Sequence, residues 1–210
     1  CLLSRGLGDV YKRQVMTTQF SWISTASCIS MVGATPVFCE IDALTYHMSL
    51  DSIKKMYSDK VKAIVYPHLF GYMSETKEII EFCKEKQIAF IEDAAQSLGA
   101  SLNGVKAGSI GDISTLSFNA NKVIAGIAGG GAICTDDKEK ARMFKRLRKH
   151  GENKILGYNS KMLLMNAEFI NFRLKRMTEW QKKRQEIAKR YDKQLKDIVT
   201  LQPMTTSLNH

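Results

Sequence analysis

The chain has 210 residues, 44% of them hydrophobic and 25% charged, and carries a formal net charge of +10. That length and apolar content suit one substantial core and a single main domain, with no low-complexity tract or internal repeat. No apolar run approaches membrane-spanning length, no signal peptide is read, and the five cysteines show neither metal-type spacing nor a paired framework. A cytosolic protein is expected, with Cys28, Cys39, Cys83 and Cys134 as reduced, buried thiols.

Residues 1–14 lack an initiating Met and resemble translated adapter sequence, so they are expected to be a non-native leader. From Val15 on, short apolar runs alternate with amphipathic stretches, the pattern of strands feeding helices. Strands are expected at 15–18, 36–41, 62–66, 88–92, 113–118 and 131–134, and helices at 22–32, 50–58, 74–86 and 136–150. Ser74 is read as the cap of the third helix because its hydroxyl can accept from an unpaired backbone N–H, with Glu78 suited to the first turn. Right-handed crossovers make most of these strands parallel neighbours.

Beyond the fourth helix, Lys and Arg dominate: nineteen against seven Asp and Glu between Lys138 and Asp197. Met165, Phe169 and Phe172, and likewise Ala167, Ile170, Leu174 and Met177, recur at helical spacing among these charges. One long amphipathic helix explains the segment, and nucleic-acid binding is the alternative reading of its basic charge. The triplet Gly129-Gly130-Gly131 reads as a tight turn, with a phosphate cradle as its rival.

The most telling residues lie at strand ends. Asp93, in Ile91-Glu92-Asp93-Ala94-Ala95-Gln96, closes one strand, and Lys122 follows another, twenty-nine residues later. Open α/β sheets bind ligands at the carboxyl ends of their strands. Alone, the Asp reads more readily as a helix cap and the Lys as a solvated side chain. Together they are the two fixtures a pyridoxal phosphate enzyme needs, a carboxylate for the pyridinium nitrogen and an amine to carry the cofactor as a Schiff base.

Further short motifs run in order along the chain: Phe20-Ser21-Trp22-Ile23-Ser24-Thr25-Ala26, Gly33-Ala34-Thr35-Pro36-Val37-Phe38 and Pro67-His68-Leu69-Phe70-Gly71. Gly108-Ser109-Ile110-Gly111-Asp112, Ser117-Phe118 with Lys122, Gly130-Gly131-Ala132 and Arg148-Lys149-His150-Gly151 follow. From Val15 to about Leu195 the chain thereby resembles the DegT/DnrJ/EryC1/StrS sugar aminotransferases of pyridoxal phosphate fold type I. The resemblance implies an α/β fold, a mostly parallel sheet flanked by helices with its last strand antiparallel. Residues 15–150 are then an N-terminally truncated cofactor-binding large domain, and residues 151–210 the interdomain helix with the beginning of a truncated small C-terminal domain. A segment preceding the chain would hold a glycine-threonine helix start that binds the cofactor phosphate.

Residue by residue, the resemblance makes Lys122 the Schiff-base lysine, Asp93 the pyridinium partner and Gln96 the side chain near the cofactor's phenolic oxygen. It places the Trp22 ring against one face of pyridoxal 5'-phosphate and Ser117 on its phosphate. Asn159 matches an asparagine lent to the neighbouring subunit's phosphate site, although Lys161 stands where arginine is commoner. Without the family, Trp22 reads as a core residue opening its helix. Gly129 departs from the acidic residue usual before the glycine pair. His68 is read either as near the cleft or as a hydrogen-bonded structural residue. The implied activity is transfer of an amino group, from glutamate, to a nucleotide-linked keto sugar, by a cytoplasmic homodimer that binds neither nucleic acid nor membrane. The related sugar dehydratases replace the lysine by histidine, so Lys122 argues against them.

Overall fold

The computed structural model describes residues 13–201, 208 and 209. The strands are β1 (Gln14–Thr18), β2 (Thr35–Cys39), β3 (Val61–Pro67), β4 (Ala89–Asp93), β5 (Ser101–Leu102), β6 (Val105–Lys106), β7 (Ile113–Ser117), β8 (Gly131–Cys134) and β9 (Leu208–Asn209). The helices are α1 (Ile23–Met31), α2 (Leu50–Met56), α3 (Lys77–Glu85), α4 (Lys138–Leu147), α5 (Leu164–Leu174) and α6 (Met177–Leu195). Among these residues the main sheet runs β2-β1-β3-β4-β7-β8, parallel throughout except for the antiparallel pairing of β8 with β7. Gln14 opens β1, paired with Thr35 and Val61, while residues 1–12 of the expected leader lie outside the described residues.

Strand alternation sends side chains to two covered faces. Met16, Ile64, Tyr66 and Phe90 pack on Ile53 of α2 and on Ile79, Phe82 and Cys83 of α3. Val15, Ala63 and Val65 face the other way, onto Ile29 of α1. At roughly 25 cal/mol per Å² of apolar surface removed from water, these two layers supply the main driving force for the sheet.

Helix starts follow the caps. Ser49 accepts from Ser52 N–H at the head of α2, and Asp137 accepts from Glu139 and Lys140 N–H at the head of α4. The expected Ser74 cap is not made: Ser74 is buried and its hydroxyl bonds that of Tyr66 at 2.7 Å, so α3 begins at Lys77 behind Thr76. A buried phenol needs a partner, and Tyr66 takes the serine.

The expected long helix is two helices, α5 and α6, meeting at Lys175 and Arg176. Ile170, Leu174, Met177 and Trp180 pack on Phe118 and Ile124, whereas Met165 and Phe172 remain 74% and 59% exposed. Only one of the two expected apolar stripes therefore meets this chain. Cys28 also departs from expectation: Cys39 and Cys83 are buried and Cys134 partly so, but Cys28 is exposed. Among the described residues no helix is long and apolar enough to cross a membrane.

Candidate active site

The carboxyl ends of β1, β3, β4 and β7 lie side by side, and their loops carry five of the six expected site residues. Asp93 ends β4. Its Oδ2 accepts from Thr25 Oγ1 at 3.2 Å and its Oδ1 from Ala95 N–H at 3.1 Å, two bonds that fix the carboxylate's direction. Thr25 is buried in the first turn of α1, three residues after Trp22, and also shares a 2.9 Å hydrogen bond with Ser21. Trp22 is 73% exposed, which overturns its reading as a core residue; it marks the start of α1 beside the residues that orient Asp93.

A cavity of about 250 Å³ opens beyond the carboxyl ends of β4 and β7, lined by Ala95, Gln96, Leu98, Ser117, Asn121, Lys122, Val123 and Ile124. Three expected site residues thus share one space: Gln96, Ser117 and Lys122. Gln96 Oε1 accepts from Phe70 N–H at 3.1 Å. Because that donor fixes the amide's orientation, the Gln96 amide nitrogen is left to donate elsewhere. Ser117 closes β7, and Lys122 follows in a turn whose N–H bonds Asn119 O. Ile124, fully buried against Phe118 and Ile170, anchors the far side of that turn.

Asn159 stands apart. It is exposed, bridged to Lys149 on the loop after α4, and no side-chain hydrogen bond among the described residues ties it to the other five. The glycine triplet makes a turn: Gly129 and Gly130 have φ of 70° and 134°, Gly130 O accepts from Phe118 N–H, and a Cβ on Gly130 would stand 2.8 Å from Met162. Asn166 of α5 secures it, donating to Gly129 O at 2.6 Å and accepting from Ala128 N–H.

Thr25 and Asn166 are the polar contributors that sequence reasoning passed over. Thr25 lay inside a recognised motif, one turn beyond Trp22. Asn166 had a subtler signal, a small polar residue on the packed side of an amphipathic helix.

His68 is fully buried, but only its backbone meets the reading as a hydrogen-bonded structural residue: neither ring nitrogen has a hydrogen-bond partner among the described residues. Its backbone N–H donates to Asp93 O at 3.0 Å, and its Nε2 lies 3.3 Å from Glu92 Oε1, off the line of a good hydrogen bond. Glu92, also fully buried, accepts from Gly108 N–H at 2.6 Å, Ile110 N–H at 3.1 Å and Ser114 Oγ at 2.7 Å. Burial alone would push the Glu92 carboxyl up. The His68, Gly108 and Ser114 contacts outweigh burial and hold the group below the usual carboxylate range.

A larger cavity, about 420 Å³, lies at the opposite end of the strands between α3 and α4. It is lined by Ile88, Phe90, Asp112 and Thr135, among others, and by none of the six expected residues.

The residues at the first cavity suit a planar, anionic aromatic cofactor with an aldehyde. An amine and a hydroxyl share the cavity, an oriented carboxylate ends the strand that leads into it, and an exposed indole precedes the helix whose Thr25 bonds that carboxylate. The sequence model of the DegT/DnrJ/EryC1/StrS aminotransferase family matches residues 2–210. The chain is 34% identical over 199 residues to the pleiotropic regulatory protein of Geobacillus stearothermophilus, covering 92% of this chain and 52% of that one. It is 35% identical over 177 residues to the UDP-N-acetyl-3-dehydro-alpha-D-glucosamine 3-aminotransferase of Acidithiobacillus ferrooxidans, covering 80% and 47%. A crystal structure of a DegT DnrJ EryC1 StrS aminotransferase from Brucella abortus superposes with a TM-score of 0.89 at 28% identity, over 99% of this chain and 59% of that one. The chain spans about half the length of the curated relatives it matches.

Proposed function

Because the chain belongs to the DegT/DnrJ/EryC1/StrS aminotransferase family, we propose that it is part of a pyridoxal phosphate-dependent enzyme that transfers an amino group from glutamate to a nucleotide-linked keto sugar. The observation that carries this reading is the meeting of Lys122, Gln96 and Ser117 in one cavity beyond the end of the strand that carries the doubly hydrogen-bonded Asp93. Bound pyridoxal phosphate supplies an electron sink for the pair released when a Cα–H bond breaks.

The protein's own residues do the rest. Lys122 Nζ would hold the cofactor and, when free, would take the proton from the donor's Cα. In the return half-reaction it delivers a proton to the sugar carbon that gains nitrogen. Asp93 keeps the ring nitrogen protonated, with Thr25 and the Ala95 N–H aiming its carboxylate. Gln96, its oxygen committed to Phe70, donates from its amide nitrogen to the phenolic oxygen. Ser117 bonds a phosphate oxygen, and Trp22 covers one face of the ring.

Asn159 is assigned to the phosphate of a neighbouring subunit, which makes the working unit a homodimer, placed in the cytoplasm. Residues 15–150 serve as the cofactor domain, and residues 151–210 as the interdomain helix leading into a small domain. The test is a full-length protein carrying this segment, supplied with pyridoxal phosphate, glutamate and a panel of nucleotide-linked keto sugars. Amino-sugar product from at least one is expected. A visible cofactor band without amine transfer to any of them would reject the substrate class.

A further inference from the structure

Glu92 and His68 have no part in the roles above, yet they are the most completely buried charged and titratable side chains next to the site. Strand alternation puts the Glu92 side chain on the face opposite that of Asp93. From there Glu92 gathers three pieces of chain: the Gly108 and Ile110 amides of one loop, Ser114 of β7, and the His68 ring beyond β3. His68 in turn is tied by its backbone to Asp93 O. The loop is shaped for this contact. A Cβ on Gly111 would lie 2.5 Å from Ile113 O and 3.0 Å from Glu92, and Gly108 has a φ of 92°. The loop's far end closes on the same strand, where Phe90 N–H donates to Asp112 Oδ2.

Among the described residues Asp93 has two side-chain bonds of its own, at 3.1 and 3.2 Å, and is half-buried. Its placement against a cofactor therefore depends on where the end of β4 is held. Catalytic groups need placement to about 0.5 Å, and such placement comes from buried supporting residues. We propose that Glu92 and His68 form a positioning pair for Asp93, fixing the end of β4 against β3 and β7 so that the Asp93 carboxylate meets the cofactor's ring nitrogen. The proposal rests on the reading of Asp93 given above.

The test uses the full-length protein and the variants Glu92→Gln, His68→Leu, His68→Gln and Asp93→Asn. In Glu92→Gln an amide NH₂ replaces a carboxylate oxygen that received a donor, so one contact becomes donor against donor. Amide exchange of Gly108 and Ile110 is expected to quicken in the cofactor-free variant. The pH midpoint of the bound cofactor's visible band should move in the same direction as in Asp93→Asn. Turnover should fall by about tenfold to a hundredfold, as for a small misplacement of a reacting group, with KM for the amino donor nearly unchanged. His68→Leu should reproduce the band shift, and His68→Gln, which keeps a polar NH₂ able to face Glu92, should bring the band most of the way back to its unaltered position.

A lowered melting temperature with unmoved band and turnover would make the pair structural only and overturn the proposal. If Glu92→Gln does not fold, the two His68 variants decide the matter alone. Should Asp93→Asn itself leave the band unmoved, the reading of Asp93 fails and the positioning role falls with it. A shift in Asp93→Asn but in neither Glu92→Gln nor His68→Leu sinks the positioning role alone.

Discussion

Lys122 and Asp93 are assigned different chemistry, and their substitutions should fail differently. Lys122→Ala removes the one side-chain amine that lines the cavity among the described residues, so borohydride reduction of the loaded full-length protein should no longer fix cofactor to the chain. Peptide mapping checks this, and an adduct on another lysine would refute the assignment. Asp93→Asn should still fix cofactor but turn over about a hundredfold to a thousandfold more slowly, the scale of losing a main electrostatic stabiliser. Near-normal turnover in the folded variant would remove Asp93 from that role. His47 offers a test by pH. Its Nε2 accepts from Leu69 N–H at 3.1 Å, and its Nδ1 lies 2.8 Å from Thr45 O, which makes it a neutral ring protonated at Nδ1. Burial first, and then the neighbouring His68, push its pKa down to about 4 from an ordinary 6.5. An unfolded chain therefore takes up the proton before the folded one. The contribution is complete above about 6.5 and falls away as pH drops towards 4, by at most about 3 kcal/mol. Urea unfolding at pH 7.5 and pH 5 should show a smaller difference for His47→Gln than for the unaltered protein. Equal differences would mean that His47 does not titrate in this window. Glu92 acts lower, its stabilisation being present above the ordinary carboxylate value and lost below it.

At the scale of elements, alternation and capping made the main sheet readable. All six of its strands and the four helices from α1 to α4 fall within a few residues of their expected places. What stayed hidden depended on distant partners. Ser74 has the chemistry of a cap, but nothing local reveals that Tyr66 claims its hydroxyl. The break between α5 and α6 has no proline or glycine to announce it, only the packing of Trp180 and Met177 against Phe118 and Ile124. The hairpin of β5 and β6 did carry a local signal, Asn103-Gly104 with φ of 52° and 79°, the pair a tight hairpin turn favours. Motif order singled out Lys122, Asp93 and Gln96, whereas the Glu92 network appears only once the Gly108 loop has folded back on β4. Glycine substitutions separate the two kinds of constraint. Gly111→Ala forces a Cβ onto Ile113 O and Glu92 and should cost about 1–3 kcal/mol in unfolding free energy. Gly104→Ala meets open space and should cost only about 1 kcal/mol, from its left-handed backbone. Denaturant midpoints check the order, and a reversal would mean that the Gly108 loop yields freely.

At the scale of the whole molecule, the described residues leave apolar surface outside their own core. Trp22, Ile23 and Met31 on or beside α1 are exposed, as are Leu163, Leu164, Met165 and Phe172 around α5. Exposed apolar side chains, where they form a patch, mark interfaces. The two groups flank the elements that carry Asp93 and the glycine turn, so covering them by a second subunit would bring that subunit's residues towards the cofactor. A two-fold dimer uses the same patch on both partners, and each site would then receive the other's Asn159. The decisive measurement mixes inactive Lys122→Ala subunits with inactive Asn159→Ala subunits of the full-length protein. With shared sites, a mixed dimer gathers both defects into one site and leaves the other intact, so up to about a quarter of unaltered activity should return at equal mixing. No activity from mixed dimers that are folded and verified as mixed, when unaltered subunits survive the same treatment, would confine Asn159 to its bridge with Lys149 and leave each site to a single chain.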